Sequence, residues 1–348
     1  MQQTVIRLNK ERSSVRGLQV YKEDVPKASK HEVIMKVHGV SLNYRDIAIA
    51  TSQYPFPVKD NVVPCSDAAG VVVEVGEDVR DILAVGDHII GTLDFNNLFG
   101  QQSNWLGGQG GPVDGVLREY LAIPAISAVK VPKDCPQTFN EWSTLVVTGV
   151  TAWNALYGNV PLRPGQIVLL QGTGGVSITG LILAKAAGAT TIITSSSDEK
   201  LELAKSKYGA GMVVNYKKHP EWSKEVLRLT NGEGVDFILE TGGSGTISES
   251  INCLKMGGNV SVIGFLSRAK QHGMPDVASL ALAKGATIRG IQGGSTQLLQ
   301  EVARSVARNG LRLPVETVYK FTLEDVIKAY EFLSSGTHVG KICIQVIQ

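Results

Sequence analysis

Cysteine is scarce in this sequence, and its few positions lie far apart. The chain of 348 residues has four, namely Cys65, Cys135, Cys253 and Cys343. A disulfide framework would need closely spaced pairs, so this usage is typical of small buried side chains in a reducing compartment. Met1–Ser14 is polar and lacks the apolar core of a signal peptide, and the C-terminus has no recognised targeting motif. We therefore expect a cytoplasmic protein.

Long apolar runs and a strong net charge are also absent. No run is long enough to span a bilayer. The formal net charge is only +2, from 34 Lys+Arg and 32 Asp+Glu, which argues against nucleic acid or a membrane surface as partner. A hydrophobic fraction of 43% supplies buried cores, and the length favours two domains over one. These properties predict a two-domain globular protein that acts on a small molecule.

The most informative segment is Gln171–Gly180, with the sequence QGTGGVSITG. It follows an apolar run and precedes a helical pattern. Glycine at 172 permits a tight turn, and glycine at 174 lets the backbone approach a phosphate without a Cβ atom. The helix behind them would direct free N–H groups and its positive dipole end at the anion. We predict a dinucleotide-binding loop, with a structural turn as the alternative; its cofactor-binding residues are Gly172, Thr173, Gly174, Gly175 and Val176. The third glycine position of the fingerprint carries Ser177.

The pattern of secondary-structure signals changes along the chain. Residues 1–128 have short β-like runs between turns, whereas strand and helix patterns alternate from about residue 165. Such alternation predicts a doubly wound parallel sheet with its ligand at the carboxyl edge. The predicted strands are Ile167–Leu170, Thr191–Thr194, Met212–Asn215, Asp236–Leu239, Asn259–Ile263 and Thr287–Gly290. The predicted helices are Asp198–Tyr208, Pro220–Thr230, Thr246–Leu254, Gln297–Arg308 and Leu323–Ser334, and Lys341–Val346 is a last strand that is expected to return to the first domain.

The end of the second predicted strand bears on the choice of nicotinamide cofactor. NAD-binding sheets place an acidic residue there, about 20 residues after the glycines, to bind the ribose 2′-hydroxyl. Here the sequence reads Ser195-Ser196-Ser197, followed by Lys200, and Tyr216 ends the third strand. Hydroxyls and a lysine suit a 2′-phosphate, which favours NADPH over NADH. The alternative is an ordinary loop in which Asp198 caps a helix and Lys200 is a solvated charge.

Taken together, several motifs resemble the medium-chain dehydrogenase/reductase superfamily, on its zinc-independent quinone reductase and enoyl reductase side. They are His38–Asp46, Pro64–Val72, Val85–Asp87, Thr148–Trp153, the glycine loop, Gly257–Gly264 and Gly340-Lys341. The resemblance implies a Rossmann domain enclosed by a discontinuous GroES-like β-rich catalytic domain. The expected ranges are 1–128 for the first part of the catalytic domain, 129–287 for the Rossmann domain and 288–348 for the return. A cleft between them would hold nicotinamide and substrate, and the protein would be a homo-oligomer, a dimer or tetramer.

The resemblance also implies that no metal is bound. The superfamily's zinc-dependent members bind their catalytic metal through Cys, His and Cys, and the matching positions here are Asn43, Ser66 and approximately Thr144. None of these side chains is a thiolate or an imidazole, which Zn²⁺ prefers. The six histidines also lack ligand spacing. We therefore expect hydride transfer to a conjugated acceptor, whose developing charge spreads without help from a Lewis acid.

The family pattern assigns roles to individual residues. Tyr54 matches the tyrosine that enoyl reductases use near the substrate and is the candidate proton or hydrogen-bond donor, although a partly exposed aromatic before a proline turn is an equal alternative. Asn43 would position substrate or the nicotinamide ribose, and Asp46 would support its loop. The further residues expected at the cofactor are Thr148, Gly242, Gly264, Phe265, Leu266 and Lys341, the last of which could instead be a solvated charge.

The sequence thus predicts an NADPH-dependent quinone or ene reductase. A metal-free carbonyl or alcohol oxidoreductase is the nearest alternative, and a non-catalytic NADPH-binding protein is a further one. The segment Asn96–Gly115 is rich in Gly, Gln and Asn. It predicts a mobile surface loop, with a lid as the alternative.

Overall fold

A computed structural model describes residues 1–270 and 273–347. Within them, the strands in chain order are β1 (Gln2–Leu8), β2 (Leu18–Asp24), β3 (Glu32–Ser41), β4 (Asp67–Val75), β5 (His88–Gly91), β6 (Tyr120–Pro124), β7 (Ala128–Val131), β8 (Ile167–Gln171), β9 (Thr190–Ser195), β10 (Met212–Asn215), β11 (Val235–Glu240), β12 (Leu254–Val262), β13 (Thr287–Gly290), β14 (Val315–Lys320) and β15 (Lys341–Gln345).

The α-helices in the same order are α1 (Tyr44–Ala50), α2 (Phe139–Ser143), α3 (Val150–Tyr157), α4 (Gly175–Ala186), α5 (Asp198–Ser206), α6 (Trp222–Leu229), α7 (Ile247–Asn252), α8 (Val277–Lys284), α9 (Thr296–Arg308) and α10 (Leu323–Ser335). One π-helix, Leu145–Gly149, lies between α2 and α3, and 3₁₀ turns occur at Val15–Gly17, Glu77–Val79 and Ala125–Ser127. In the described part of the chain, no helix is both long and apolar enough to cross a membrane.

Two compact units make up the chain. One contains residues 1–150 and 293–348, and the other contains residues 151–292. The first unit therefore includes residues 129–150, which the predicted ranges assign to the Rossmann domain. The reason is local packing, because α2 and the π-helix contact β3, β4 and α9.

The first unit is built on a mainly antiparallel sheet with the order β14-β15-β3-β4-β5-β7, and β6 also pairs with β3. The last strand, β15, lies antiparallel to β3 and parallel to β14. Beside this sheet β1 and β2 form a hairpin. The core of the first unit is apolar, and Val33, Met35, Val72, Ile89 and Ile342 are fully buried in it.

The second unit is a parallel sheet of six strands in the order β10-β9-β8-β11-β12-β13. All five strand pairs are parallel. Numbered within the unit, this is the 3-2-1-4-5-6 order of a Rossmann fold, whose ligand lies where the order reverses, here between β8 and β11. The α/β class with a Rossmann sheet and a GroES-like β-rich domain is confirmed. Five of the six predicted strands agree with the observed ones to within one residue at each end, and the exception is β12, which starts at Leu254, earlier than the predicted Asn259.

Candidate functional site

The glycine loop lies at the carboxyl end of β8. Gly172 has φ of 73°, a left-handed conformation that favours glycine. A Cβ atom at Gly174 would meet nothing within 4 Å, so the backbone there is open to a ligand. Helix α4 begins at Gly175, and its first N–H groups lack intrahelical partners. The loop therefore presents glycine backbone and a helix N-terminus in one place, which suits an anion.

The serine at the third fingerprint position has a structural partner. Ser177 is buried, and its hydroxyl donates to the Gln171 carbonyl oxygen, which ties the helix to the end of β8. The close approach of helix and sheet is instead made at Gly180. A Cβ there would lie 2.8 Å from side-chain methyl groups of Leu170 and Leu239. Gly180, one turn further along α4, therefore permits the close helix–sheet packing that the third fingerprint glycine usually permits.

The predicted 2′-phosphate residues lie at the ends of β9 and β10. Ser195 is buried and its hydroxyl accepts a hydrogen bond from the Ser197 amide. The Tyr216 amide donates to the Ser195 carbonyl oxygen, which joins the two strand ends, and the Tyr216 side chain is 41% exposed. Ser196 and Lys200 are half-buried beside them. The four residues therefore occupy one edge of the sheet.

The N-cap of helix α5 is not Asp198, the residue suggested by the sequence as an alternative. Ser197 is the N-cap, and its hydroxyl oxygen accepts from the Lys200 amide at 3.3 Å. Asp198 lies in the first turn, where it accepts from Asn215 at 2.8 Å and pairs with Lys218 at 2.6 Å. These two partners lower its pKa, with the Lys218 hydrogen bond the larger cause. The idea that Asp198 caps this helix is wrong, since a serine one residue earlier does so.

Two further loops meet at the ends of β11 and β12. A Cβ on Gly264 would lie 2.3 Å from the Thr241 carbonyl oxygen, and a Cβ on Gly243, where φ is 91°, would lie 3.0 Å from the Gly264 carbonyl oxygen. The Ser267 amide donates to the Gly242 carbonyl oxygen at 2.7 Å. Two glycines are therefore required for this contact. The adjacent Phe265 and Leu266 are 43% and 63% exposed.

The buried polar pair Glu240 and Gln171, which lies behind these loops, was not predicted from the sequence. Glu240, at the end of β11, is fully buried, and one of its oxygens accepts from the amides of Gly242 and Gly243 at 2.8 and 2.9 Å. Its other oxygen accepts from the Gln171 side chain at 2.6 Å and from the Ser250 hydroxyl. The carboxylate thus joins β8 to β11 where the strand order reverses. The sequence feature that could have indicated this site is a glutamate directly after an apolar strand pattern.

The first unit holds a separate cluster of buried polar groups around α1. Asn43 precedes the helix, and its backbone N–H donates to the Asp46 carboxylate at 2.8 Å. The Lys341 ammonium donates to the Asn43 side-chain oxygen at 2.7 Å and to the Leu42 carbonyl oxygen. Lys341 is only 3% exposed, so it is not the solvated charge that the sequence allowed. In the described residues, the Asn43 side-chain nitrogen and one Asp46 oxygen have no hydrogen-bond partner.

Burial dominates the electrostatics of this cluster. It raises the pKa of Asp46 to about 6, although Arg45 and the Asn43 amide oppose the change. Burial also raises the pKa of Asp67, and the Lys341 ammonium opposes that rise. Conversely, burial lowers the pKa of Lys341, with Asp67 the largest opposing influence. The three groups therefore form a compensated set in which the ammonium balances two carboxyls.

The three positions that match zinc ligands do not form a zinc-binding donor set. The Asn43 oxygen already accepts from Lys341. The Ser66 hydroxyl donates to Asp67 at 2.7 Å, and the Thr144 hydroxyl donates to the Glu141 carbonyl oxygen at 2.7 Å. Amide and alcohol oxygens engaged in this way are poor partners for Zn²⁺, which takes thiolate, imidazole or carboxylate. Within residues 1–270 and 273–347 no group of three or more His, Cys, Asp and Glu side chains is placed to hold a metal; His272 is outside that part.

Thr148 lies in the π-helix beside this cluster. Its hydroxyl donates to the Thr144 carbonyl oxygen at 2.8 Å, and the side chain is buried. The Val147 amide in the same turn donates to Asp67 at 3.3 Å. Single π-helical turns are frequent at functional sites, because they displace side chains from the regular helical pattern. The sequence has no periodic signal for such a turn.

Tyr54 is half-buried and packs over the guanidinium of Arg45, which lies 5.2 Å from the ring centroid. Arg45 in turn donates to the Gln109 carbonyl oxygen at 2.8 Å. This bond tethers the segment Asn96–Gly115. The same segment is held by Thr296 and Gln297, whose amides donate to carbonyl oxygens at Asn97 and Leu98. It is therefore a loop held by several hydrogen bonds, and the mobility expected from its composition stays a prediction.

Comparison with known proteins identifies two family models in the chain. The alcohol dehydrogenase GroES-like domain matches residues 29–133, and the zinc-binding dehydrogenase domain matches residues 175–308. A zinc-type alcohol dehydrogenase-like protein of Schizosaccharomyces pombe is 39% identical over 93% of this chain and 93% of its own length. The acryloyl-coenzyme A reductase of Sulfurisphaera tokodaii is 29% identical over 92% of this chain and 94% of its own.

Solved structures agree with these matches. A Sinorhizobium meliloti 1021 protein, provisionally assigned as an alcohol dehydrogenase, has a TM-score of 0.89 and 34% identity, and the match covers 99% of this chain and 100% of the other. Escherichia coli quinone oxidoreductase, solved with NADPH, has a TM-score of 0.81 and 21% identity over 99% and 100% of the two chains. At that identity the likeness concerns the fold.

Proposed function

Because this chain belongs to the medium-chain dehydrogenase/reductase superfamily of oxidoreductases, we propose that it reduces a conjugated acceptor with NADPH and without zinc. The acceptor class is a quinone or an α,β-unsaturated carbonyl compound. The observation that carries the proposal is the pairing of Lys341 with Asn43, since it engages the first of the three zinc-ligand positions with an ammonium. The other two positions are alcohols, so these three positions do not supply a donor set that suits zinc.

The residues of the second unit fit a dinucleotide. The open glycine backbone at 172 and 174 and the N-terminus of α4 would hold the pyrophosphate. The serines at the end of β9 and Lys200 in the first turn of α5 would bind a 2′-phosphate, with Tyr216 beside the adenosine. The loops at Gly242 and Gly264–Leu266 would line the remaining length of the cofactor. When bound, NADPH supplies a hydride.

The residues of the first unit would handle the acceptor. Lys341 holds the Asn43 side chain through its oxygen, and Asp46 holds the Asn43 backbone N–H. The side-chain N–H₂ group of Asn43 is thereby fixed, and Asn43 also opposes the rise that burial causes in the pKa of Asp67. It would donate to the acceptor or to the nicotinamide ribose. Thr148 and Lys341 would lie toward the cofactor, and the Tyr54 hydroxyl would donate a hydrogen bond or a proton to the oxygen or carbon that gains charge. Spreading that charge over an enolate or hydroquinone removes the need for a Lewis acid.

The relatives favour a conjugated acceptor over a simple alcohol only in part. The acryloyl-coenzyme A reductase is named for an unsaturated acyl group, whereas the Sinorhizobium meliloti protein is assigned as an alcohol dehydrogenase. A metal-free carbonyl or alcohol oxidoreductase is therefore the second candidate. Turnover of an enone at its C=C bond, with no reduction of the matching saturated ketone, separates the first function from the second. The expected homo-oligomer stays a prediction.

Lys200→Ala tests the preference for NADPH. The variant is expected to raise the KM for NADPH about tenfold, because one charge-assisted contact to the 2′-phosphate is lost, and to leave the KM for NADH within about twofold. Steady-state kinetics with both cofactors at saturating acceptor measures the ratio. Lys205→Ala is the matched control, since Lys205 is an exposed lysine on the same helix. An unaltered NADPH-to-NADH ratio in Lys200→Ala would refute the 2′-phosphate assignment.

A further inference from the structure

A guanidinium and three half-buried aromatic rings form a continuous row in the first unit. Arg45 lies 5.2 Å from the Tyr54 ring centroid. The Tyr54 and Phe56 rings meet edge to face at 5.3 Å, and the Phe56 and Trp105 rings stack at 4.1 Å with 19° between their planes. All three rings remain partly open to solvent. These four residues are called the aromatic row below.

Trp105 is held at the end of this row by its own loop. On one side the Gln102 side chain donates to the Asp94 carboxylate at 2.6 Å and to the Asn104 carbonyl oxygen at 2.8 Å. On the other side Arg45 binds the Gln109 carbonyl oxygen. The stacked position of the indole is thus set by bonds that flank it in sequence. A ring held in this way loses little conformational entropy when a ligand stacks on it.

The row is polar at one end and aromatic at the other. Arg45 is 3.9 Å from Asp46 in the buried polar cluster, so its end of the row continues that cluster. Its side chain is 12% exposed and carries a positive charge beside the Tyr54 ring. A matching ligand has an electron-rich oxygen at one end and a flat ring at the other.

We infer that the aromatic row is a subsite for the acceptor, and that it selects planar aromatic rings conjugated to the carbonyl group, as in aryl enones and fused-ring quinones. This inference rests on the proposed function. Phe56 and Trp105 contact the aromatic ring of the acceptor, and the Tyr54 hydroxyl is directed at its carbonyl oxygen. Arg45 is a positioning residue that holds Tyr54 and the loop. Offset and edge-to-face aromatic pairs stabilise such a complex beyond the area that they bury.

Two enones that differ in one group test the subsite. They are trans-4-phenylbut-3-en-2-one and trans-pent-3-en-2-one, which carry phenyl and methyl at the same carbon. The readout is the ratio of kcat/KM for the phenyl enone to that for the methyl enone. Trp105→Ala is expected to lower this ratio about tenfold, and Trp105→Phe to keep it within about threefold, because a stacking ring remains. Phe99→Ala is the control, since Phe99 is an aromatic residue of the same loop, 73% exposed, outside the row.

The outcomes separate the subsite from the proposed function. A fall in both kcat/KM values by the same factor in Trp105→Ala would mean that the ring only supports the loop, which would overturn the inference and leave the reductase function intact. The proposed function fails if the wild-type protein reduces neither these enones nor an ortho-quinone. Whenever neither enone is turned over, calorimetric titration of NADPH-loaded protein with the phenyl enone decides the subsite. Binding that weakens about tenfold in Trp105→Ala but not in Phe99→Ala would support it; equal or undetectable binding in all variants would overturn it.

Discussion

Replacing Lys341 with methionine is expected to lower the free energy of unfolding by about 3–5 kcal/mol at pH 7, because two buried carboxyls lose the ammonium that balances them. Asp67 and Asp46 both lie in this cluster, and both have raised pKa values even with the lysine present. Methionine retains the volume and the apolar stem of the side chain, so the loss reports charge and hydrogen bonding. Urea unfolding followed by circular dichroism measures it.

The pH dependence of the same variant has a definite sign. A carboxyl whose folded pKa is raised contributes stability below its unfolded pKa, 3.8 for Asp46, and that contribution is lost as the pH rises through about 6. Removing the ammonium raises both folded pKa values further. The deficit of Lys341→Met relative to the wild type should therefore be small at pH 5 and grow toward pH 7. A deficit that is equal at both pH values would contradict the charge-balance account.

The control for this experiment is Lys328→Met in the same unit. Lys328 pairs with Glu324 at 2.7 Å, but its side chain is 53% exposed. Exposed ion pairs contribute little to stability, so this variant should unfold close to the wild type at both pH values. A large loss in Lys328→Met would mean that methionine itself disturbs the fold.

Tyr54→Phe is expected to lower kcat for an enone by about tenfold to a hundredfold, because it removes a positioned proton or hydrogen-bond donor. The ring that packs on Arg45 and Phe56 stays in place, so loop structure is retained. The KM for NADPH should change by less than about twofold, since the hydroxyl is assigned to the acceptor. Steady-state kinetics across pH 6–9 measures both constants.

Tyr21→Phe provides the comparison for that variant. Tyr21 is 41% exposed on β2, and its hydroxyl donates to Gln19 at 2.7 Å. Removing it should leave kcat unchanged. Equal turnover by wild type and Tyr54→Phe would remove Tyr54 from the chemistry and favour its alternative role as a packing residue before Pro55.

Much of the second unit was predictable because its signals are local. Continuous apolar runs such as Ile167–Leu170 mark strands that are buried on both faces, and the glycine positions mark the turn that follows. The predicted strand Met212–Asn215 and the predicted strand Thr287–Gly290 have the observed bounds. The predicted family is also confirmed, since several motifs in one order are a specific signal.

The polar interior could not be predicted in the same way. Glu240 and Gln171 are 69 residues apart, and nothing in either local pattern indicates that β8 and β11 bring them within 2.6 Å. Lys341 meets Asn43 across 298 residues, and a lysine near the end of a chain is usually solvated. Helix α8 was not predicted, because its apolar residues are not confined to one stripe: Val277 and Leu280 pack, partly buried, against the core of the second unit, whereas Leu282 is 84% exposed. Long-range pairing of polar groups leaves no period in the sequence.

Reduction of a conjugated acceptor by NADPH without zinc can be measured with metal-free protein. Protein purified in the presence of a chelator, with metal content checked by mass spectrometry, is assayed for NADPH and NADH oxidation with an ortho-quinone and an enone. We expect faster oxidation of NADPH than of NADH, with at least one acceptor reduced and no increase in rate when Zn²⁺ is added. Activity that appears only after Zn²⁺ is added, or oxidation of a simple alcohol in place of acceptor reduction, would contradict this expectation.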